Sequence, residues 1–220
     1  SNANDSPNDI NFVVRRSLDE GRSWEPASTV IDCPGIGEDA SSVIDSCMVQ
    51  DPSTGRVYVL IDHFPGGIGQ PNCWASTGFD EQGRRLLRDL DDGRYVVEPD
   101  GAVTTIEGQA TEFRVLDDGT VLRDGNPAGN IELAPGADPA ETLLAIPTSY
   151  LQIAYSDDDG LTWSRPRDLN PELKQPWMRF LGTCPGNGIA LRNGPHAGRL
   201  VVPLYFNNDQ NWLAMCATVA

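Results

Sequence analysis

The chain has 220 residues, of which 39% are hydrophobic, and it carries a formal net charge of −16. This charge argues against duplex nucleic acid or an anionic membrane surface as the main partner, because either one attracts a cationic face. No apolar stretch approaches ~18 residues, the length that a membrane-spanning helix needs, so no membrane insertion is predicted.

Short apolar runs separated by turn residues predict an all-β fold. Gly, Pro, Asp and Asn stand between the runs, which is typical of strands and turns. In chain order, the clearest predicted strands are 11–15, 57–62, 150–155, 188–192 and 199–206. The best helix candidates are short pieces, such as 171–180. Residues 1–3, Ser-Asn-Ala, are typical of the remnant of a cleaved expression tag and take no part in these predictions.

One eight-residue turn motif, Ser-x-Asp-x-Gly-x-Ser/Thr-Trp, occurs twice. Asp and Ser side chains bond nearby backbone N–H groups, Gly adopts a positive φ, and Trp packs the turn onto the strands beside it. Predicted strands precede both copies, so the motif predicts hairpin turns on the outer strands of repeated sheets, as in a β-propeller. Its structural positions are Ser17, Asp19, Gly21 and Trp24 in the first copy and Ser156, Asp158, Gly160 and Trp163 in the second.

The distance between the two motifs, 139 positions from Ser17 to Ser156, indicates an insertion. One propeller blade takes roughly 40–50 residues, and from about 75 to 147 the sequence changes to charged hairpins with Asp-Gly turn signals. We therefore divide the chain into a partial propeller, 4–74 and 148–220, and a β-rich insertion, 75–147. The propeller residues suffice for roughly three blades, too few to close a ring. The chain is thus predicted to be part of a larger propeller, with open strand edges that favour self-association.

No metal or cofactor site is predicted. The cysteines lack CxxC spacing, so a structural zinc site is not expected, while disulfides and buried reduced thiols both stay open. His63 and His196 lack metal-ligand spacing and are predicted to be surface or turn residues. The five cysteines are at positions 33, 47, 73, 184 and 216.

Several segments resemble the bacterial sialidase (neuraminidase) family. The stretch 5–24 is similar to the segment that runs from the family's catalytic-aspartate loop through a strand into its first Asp box, which is the turn motif described above. The likeness covers most of the chain and is closest to large secreted sialidases with an insertion at this place. It implies an incomplete six-bladed β-propeller with Asp boxes and a small inserted β-rich domain. The other similar segments are 44–52, 61–66, 177–182, 185–189 and 191–200.

The resemblance assigns roles to two aspartates. Asp5 occupies the position of the family's general acid/base, and a carboxyl group held in a cleft can protonate the leaving oxygen of a glycoside. Asp9, in the same loop, is the rival position. Asp45 corresponds to a carboxylate that accepts a hydrogen bond from a sugar hydroxyl.

Three further residues are candidates for substrate binding. Asn187, between two glycines, corresponds to a position where the family's backbone and side chain approach the sugar. Phe64 and Trp74 are candidates for an apolar wall around the N-acyl group, with core packing as the alternative for each.

The resemblance implies a retaining exo-α-sialidase that releases terminal sialic acid with a Tyr nucleophile and no metal or cofactor. We assign no residue of this chain to the family's Tyr, its Glu partner or its three substrate-binding Arg, so the chain alone is expected to be inactive. The implied partners are sialylated glycans or glycoproteins, met outside the cell or at its surface. Two alternatives stay open: a non-catalytic Asp-box propeller that binds glycans or proteins, and an intramolecular trans-sialidase.

Overall fold

The computed structural model describes residues 5–138, 143–208 and 216–219, and nearly all regular structure in these ranges is β-strand. This confirms the all-β prediction; the tag remnant at 1–3 lies outside the described residues. The first four strands are β1 Phe12–Val14, β2 Ser28–Ile31, β3 Ser42–Gln50 and β4 Val57–Phe64. The next seven are β5 Leu86–Arg88, β6 Arg94–Val97, β7 Ala102–Thr105, β8 Ala110–Val115, β9 Thr120–Arg123, β10 Asn126–Asn130 and β11 Leu144–Ala145. The last eight are β12 Tyr150–Ser156, β13 Arg167–Asp168, β14 Met178–Thr183, β15 Gly186–Asn187, β16 Ile189–Ala190, β17 Leu200–Val201, β18 Pro203–Asn208 and β19 Cys216–Val219.

The predicted helix at 171–180 is wrong beyond its first turn. Helix α1 spans only Asn170–Leu173, and β14 already begins at Met178. Pro176 explains the early end, because the residue before a proline is disfavoured in the helical conformation. No helix among the described residues is long and apolar enough to cross a membrane.

The central propeller sheet has the strand order β13-β12-β4-β3-β15. Strand β4 pairs antiparallel with both β3 and β12, and Leu60 lies opposite Ile153. On one face of the sheet Leu60 packs in a cluster with Leu181, and on the other Val59 packs in a cluster with Phe12. The sheet is therefore covered on both faces, as sheets stacked in a propeller are.

Both Asp-box motifs lie in hairpins, between β1 and β2 and between β12 and β13. In the first copy the Ser17 hydroxyl accepts the Gly21 N–H at 2.7 Å, and Asp19 accepts the Ser23 N–H at 2.8 Å. The second copy repeats these bonds at 2.8 Å each, between the equivalent residues. Gly21 and Gly160 both adopt the left-handed conformation, at φ +83° and +80°, which glycine does without steric cost.

The two tryptophans of the motifs differ in packing. Trp163 is half-buried, meets Phe12 edge to face at 6.3 Å and donates its indole N–H to the Gly160 carbonyl at 3.2 Å. Trp24 is 55% exposed. The guanidinium of Arg16 reaches the Asp158 carbonyl at 3.5 Å, so the strand before the first box contacts the turn of the second.

A separate seven-stranded sheet lies within the predicted insertion. Its order, β10-β9-β8-β7-β6-β5-β11, follows the chain through consecutive antiparallel hairpins before β11 closes the other edge. It has its own core, formed by Leu87, Val103, Val121, Ile131 and Leu143. The domain boundaries at 75 and 147 stay a prediction.

A buried polar cluster joins this sheet to the propeller. Glu132 lies with one carboxylate oxygen 2.8 Å from the Arg85 guanidinium and the other 3.6 Å from His63 Nε2. The Arg85 guanidinium also covers the Tyr150 ring at 4.6 Å. The surface-or-turn prediction for His63 is wrong, because residues of the insertion cover this end of β4. Burial lowers the pKa of His63.

The cysteines whose side chains the structure describes are free thiols. Cys33, Cys47 and Cys73 are buried, and Cys184 is exposed. The side chain of Cys216 lies outside the described part of the chain. Among the other four, the reduced-thiol alternative holds.

Candidate active site

A bulge in β3 presents Asp45. The pairing of β3 with β4 shifts register between Ile44 and Cys47, and Asp45 sits in the shift with φ +53°. Aspartate tolerates this left-handed conformation better than most residues. Two neighbouring strands hold the bulge: the Thr183 hydroxyl donates to the Asp45 carbonyl, and the Tyr205 hydroxyl lies 3.4 Å from Asp45 Oδ2.

The loop that carries Asp5 is fixed to the start of the same strand. The hydroxyls of Ser6 and Ser42 lie 2.6 Å apart, and the Val43 N–H donates to the Ile10 carbonyl at 2.9 Å. Gly69 packs so closely that a Cβ there would lie 2.4 Å from the Ser6 carbonyl oxygen. Asp5 itself is exposed to solvent, while Asp45 is half-buried.

The two aspartates of the loop, Asp5 and Asp9, act electrostatically on different residues. Burial raises the pKa of Asp45, the negative charge of Asp5 raises it further, and the Tyr205 hydroxyl opposes the rise. Asp9 instead acts on Cys33, where it adds a small increase to a pKa that burial has already raised. Of the two loop aspartates, Asp5 is the one whose charge acts on Asp45.

A second carboxyl group, Asp62, lies beneath the bulge. It is fully buried, and its Oδ1 accepts the Thr183 N–H at 2.9 Å. Burial raises the pKa of Asp62 well above its usual value, and the charge of Asp45 adds to the rise. Through Thr183 the buried carboxyl group fixes the strand end that holds the Asp45 carbonyl.

Sequence reasoning missed both Asp62 and Tyr205 as parts of this site. Each lies in a predicted strand, 57–62 or 199–206, and neither belongs to a motif. The one available signal was the carboxylate at the end of an otherwise apolar run, because a charge there needs a buried partner.

The other predicted binding residues lie in three different environments. Asn187 is exposed on β15, which runs parallel to β3 next to Met48, just beyond the bulge. Phe64 is fully buried and stacks on Phe180 at 6.0 Å, which favours the core alternative over a pocket wall. Trp74 is 41% exposed, and its indole contacts two arginines of the inserted sheet. Phe64 and Asn187 both lie on strands that pair with β3, the strand of Asp45, and of the two only Asn187 is exposed.

No group of three His, Cys, Asp or Glu side chains in the described ranges is arranged to hold a metal ion. What the site offers chemically is a solvent-facing carboxyl group, Asp5, beside a half-buried one, Asp45. This pair can exchange a proton and accept hydrogen bonds from hydroxyl groups.

Known proteins are similar to this chain in sequence and in structure. The chain is 31% identical to an anhydrosialidase from Macrobdella decora, over 91% of the chain, and 25% identical to sialidase B from Streptococcus pneumoniae, over 95%. The chain belongs to the sialidase family. A solved intramolecular trans-sialidase from Ruminococcus gnavus, in complex with oseltamivir carboxylate, superposes with a TM-score of 0.79 at 25% identity over 99% of the chain. The likeness to sialidase structures confirms the partial β-propeller.

The likeness to the sialidase family covers only part of each relative. The chain spans 32% of the Macrobdella protein and 36% of the Streptococcus sialidase, and it covers 55% of the solved Ruminococcus chain. No protein-family model matches the sequence. The family assignment therefore depends on these relatives.

Proposed function

We propose that this chain supplies the general acid/base and one sugar-binding carboxylate of a retaining exo-α-sialidase. The observation that carries the proposal is the contact between Ser6 and Ser42, which fixes the Asp5 loop to the strand that bears Asp45. Similarity to sialidases along nearly the whole chain supports the same function.

In the proposed mechanism, Asp5 donates a proton to the leaving glycosidic oxygen and later removes one from the attacking water. Its exposure allows it to exchange protons with solvent. Asp45 accepts a hydrogen bond from a sugar hydroxyl. Its residue lies in the bulge of β3, outside the regular pairing with β4.

The test uses a protein that carries this chain within a domain of its relatives' length, together with Asp5→Asn and Asp9→Asn variants. We expect Asp5→Asn to lower kcat for 3′-sialyllactose by ~100-fold or more, as loss of a general acid predicts. On 4-methylumbelliferyl sialoside the loss should be smaller, because that leaving group departs with less protonation. Asp9→Asn should remain within a few-fold of the parent on both substrates.

A folded protein of full length that cleaves neither substrate would contradict the proposal and favour a glycan-binding propeller. Equal losses for Asp5→Asn on both substrates would indicate a structural role for that residue. A large loss for Asp9→Asn alone would move the acid/base to position 9.

The second candidate is an intramolecular trans-sialidase, because two of the similar proteins are an anhydrosialidase and an intramolecular trans-sialidase. In that reaction a hydroxyl group of the substrate, rather than water, attacks the glycosyl intermediate. Product analysis by mass spectrometry separates the two, because the anhydro sugar is lighter than free sialic acid by one water.

We also infer the partners and location from this function. Sialylated glycans are the proposed ligands, and such glycans are met outside the cell or on its surface. Self-association through open strand edges is a proposal as well. Sedimentation velocity at rising protein concentration tests this proposal. A sedimentation coefficient that stays at the value of the monomer would contradict it.

A further inference from the structure

We propose that Trp74, Arg88 and Arg94 form an accessory site for a sugar that bears a carboxylate, separate from the Asp45 site. The Trp74 indole lies where the propeller chain enters the inserted sheet. The guanidinium carbons of Arg88 and Arg94 both lie 5.7 Å from its ring centroid. With 41% of its surface exposed, the indole stays accessible to a ligand.

The unpaired state of Arg94 is the first argument. The whole chain has 32 acidic residues against 16 lysines and arginines, so carboxylates are abundant. Among the described residues of the insertion, Arg94 is the one arginine without an ion pair to a carboxylate, and its recorded contact is the Trp74 ring. The paired arginines of the insertion are Arg84, Arg85, Arg88, Arg114 and Arg123.

Arg88 supplies the second argument. Its side chain is only 14% exposed, and its nearest carboxylate, that of Asp92, lies 3.8 Å away, beyond hydrogen-bond distance. Its Nε is buried without a hydrogen-bond partner. Its Nη1 donates to the Asp89 carbonyl at 3.3 Å, and among the described residues no carboxylate lies within hydrogen-bond distance of this guanidinium beside Trp74.

The space around the indole suits a small ring. A cavity of about 320 Å³ lies between Trp74, Ser76, Arg94 and Ile106, and a second of about 250 Å³ lies on the side of Arg88. The larger volume is at the lower end of the range for small-molecule sites. Trp74 thus separates two cavities, each with one guanidinium.

These groups favour a carboxylated pyranose over a neutral sugar or a simple anion. An exposed indole packs against the apolar face of a sugar ring, and a planar guanidinium binds a carboxylate through two parallel hydrogen bonds. Sialic acids and uronic acids share this chemistry. The site needs no bond cleavage, so it does not depend on the proposed hydrolase function.

The test is isothermal titration calorimetry of the chain with 3′-sialyllactose, a glucuronate-containing hyaluronan tetrasaccharide, and lactose. We expect at least one carboxylated sugar to bind, and lactose to bind at least tenfold more weakly. Arg94→Gln and Trp74→Leu should each weaken the binding of the carboxylated sugar about tenfold or more. Arg114→Gln, which alters a paired arginine of the same sheet, should bind like the parent. Asp45→Asn should also bind like the parent, since it changes only the other site.

Binding of sialyllactose alone, of the tetrasaccharide alone or of both supports the site and identifies the sugar. The proposal is overturned if neither binds, if lactose binds equally well, or if Arg94→Gln has no effect. Loss of binding in Asp45→Asn would also overturn it, because the ligand would then occupy the candidate active site. Circular dichroism of each variant verifies that the fold is kept.

Discussion

At the scale of single residues, Asp45 combines a proposed functional role with an unfavourable environment. Its backbone is in the left-handed conformation, its side chain is half-buried, and the negative charge of Asp5 acts on it. Its hydrogen-bond partner, the Tyr205 hydroxyl at 3.4 Å, offsets little of this. Residues held in this way for function often lower the stability of the fold.

Asp45→Asn should therefore be at least as stable as the parent at pH 7 while lowering sialidase activity in the full-length context. The folded pKa of Asp45 is raised above 3.8, so its ionisation destabilises the fold as pH rises through that value. The difference in Tm between parent and variant should accordingly vanish near pH 3. Asparagine tolerates positive φ, whereas Asp45→Ala should lower Tm. A clear fall in Tm for Asp45→Asn at pH 7 would contradict this account.

Lys174, the single lysine of the sequence, is buried in a polar cage. Its ammonium donates to the Thr148 hydroxyl at 2.6 Å, the Ser149 carbonyl at 3.0 Å and the Arg179 carbonyl at 3.1 Å. These bonds connect the end of α1 to the segment just before β12 and to β14. Burial lowers the pKa of Lys174 to about 7.

Lys174→Met should destabilise the fold by about 3 kcal/mol, because several buried acceptors lose their donor. The stability of the Lys174→Met variant should also depend less on pH than that of the parent. The folded pKa of Lys174 lies below the unfolded value of 10.5, so the parent takes up a proton on unfolding and gains stability from pH 7 to 8.5. Urea denaturation at both pH values measures the difference. Arg22→Met, at an exposed site, is the control. An equal gain in the free energy of unfolding from pH 7 to 8.5 in the parent and in Lys174→Met would refute the prediction.

At the scale of elements, the two Asp boxes show how far short-range chemistry determines structure. In both, Ser and Asp side chains accept backbone N–H groups within the same turn, so the hairpins could be predicted from the sequence. These bonds lower the pKa of Asp19 and of Asp158 to about 2, with the bonds from Ser23 and Thr162 as the largest causes.

Asp158→Asn should lower Tm by more than Asp19→Asn, because the second box packs through Trp163 on Phe12 whereas Trp24 is exposed. Both aspartates have folded pKa values below 3.8, so their stabilisation is complete above that pH and is lost as pH falls through about 2. The deficits of both variants should thus shrink between pH 6 and pH 2.5. Equal deficits for the two variants would contradict the packing argument.

Other features depended on contacts between distant parts of the chain and could not be predicted. His63 is buried because Glu132, in the insertion, reaches it. Phe64 is in the core because β14 brings Phe180 against it. The position of Asp45 in a bulge likewise needs its register with β4. The proposed role of Asp5 comes from its resemblance to a family loop and stays a prediction, whereas Asp62 and Tyr205 reach the site only through tertiary packing.

At the scale of the whole molecule, Glu132 holds the inserted sheet against the propeller. Glu132→Gln would leave the Arg85 guanidinium largely buried without its counter-charge, which costs about 3 kcal/mol or more and lowers Tm by roughly 6–12 °C in a domain of this size. The control Glu112→Gln removes an exposed pair with Arg123 and should change stability by less than ~1 kcal/mol. Thermal unfolding measures both, and similar Tm shifts would refute the role of this cluster.

The pairing of β4 with β12 has a consequence for synthesis on the ribosome. These partners are nearly a hundred positions apart, whereas β5 to β10 each pair with the next strand along the chain. Neighbouring segments meet sooner than distant ones, so the inserted meander can assemble while β4 still lacks its second neighbour. In the amino-terminal hairpin, Arg16 can pair with Glu25 early, whereas its contact with the Asp158 carbonyl waits until residue 158 has emerged. During translation the inserted meander can therefore be paired before the central propeller sheet is complete, because β12 and β13 are made after it.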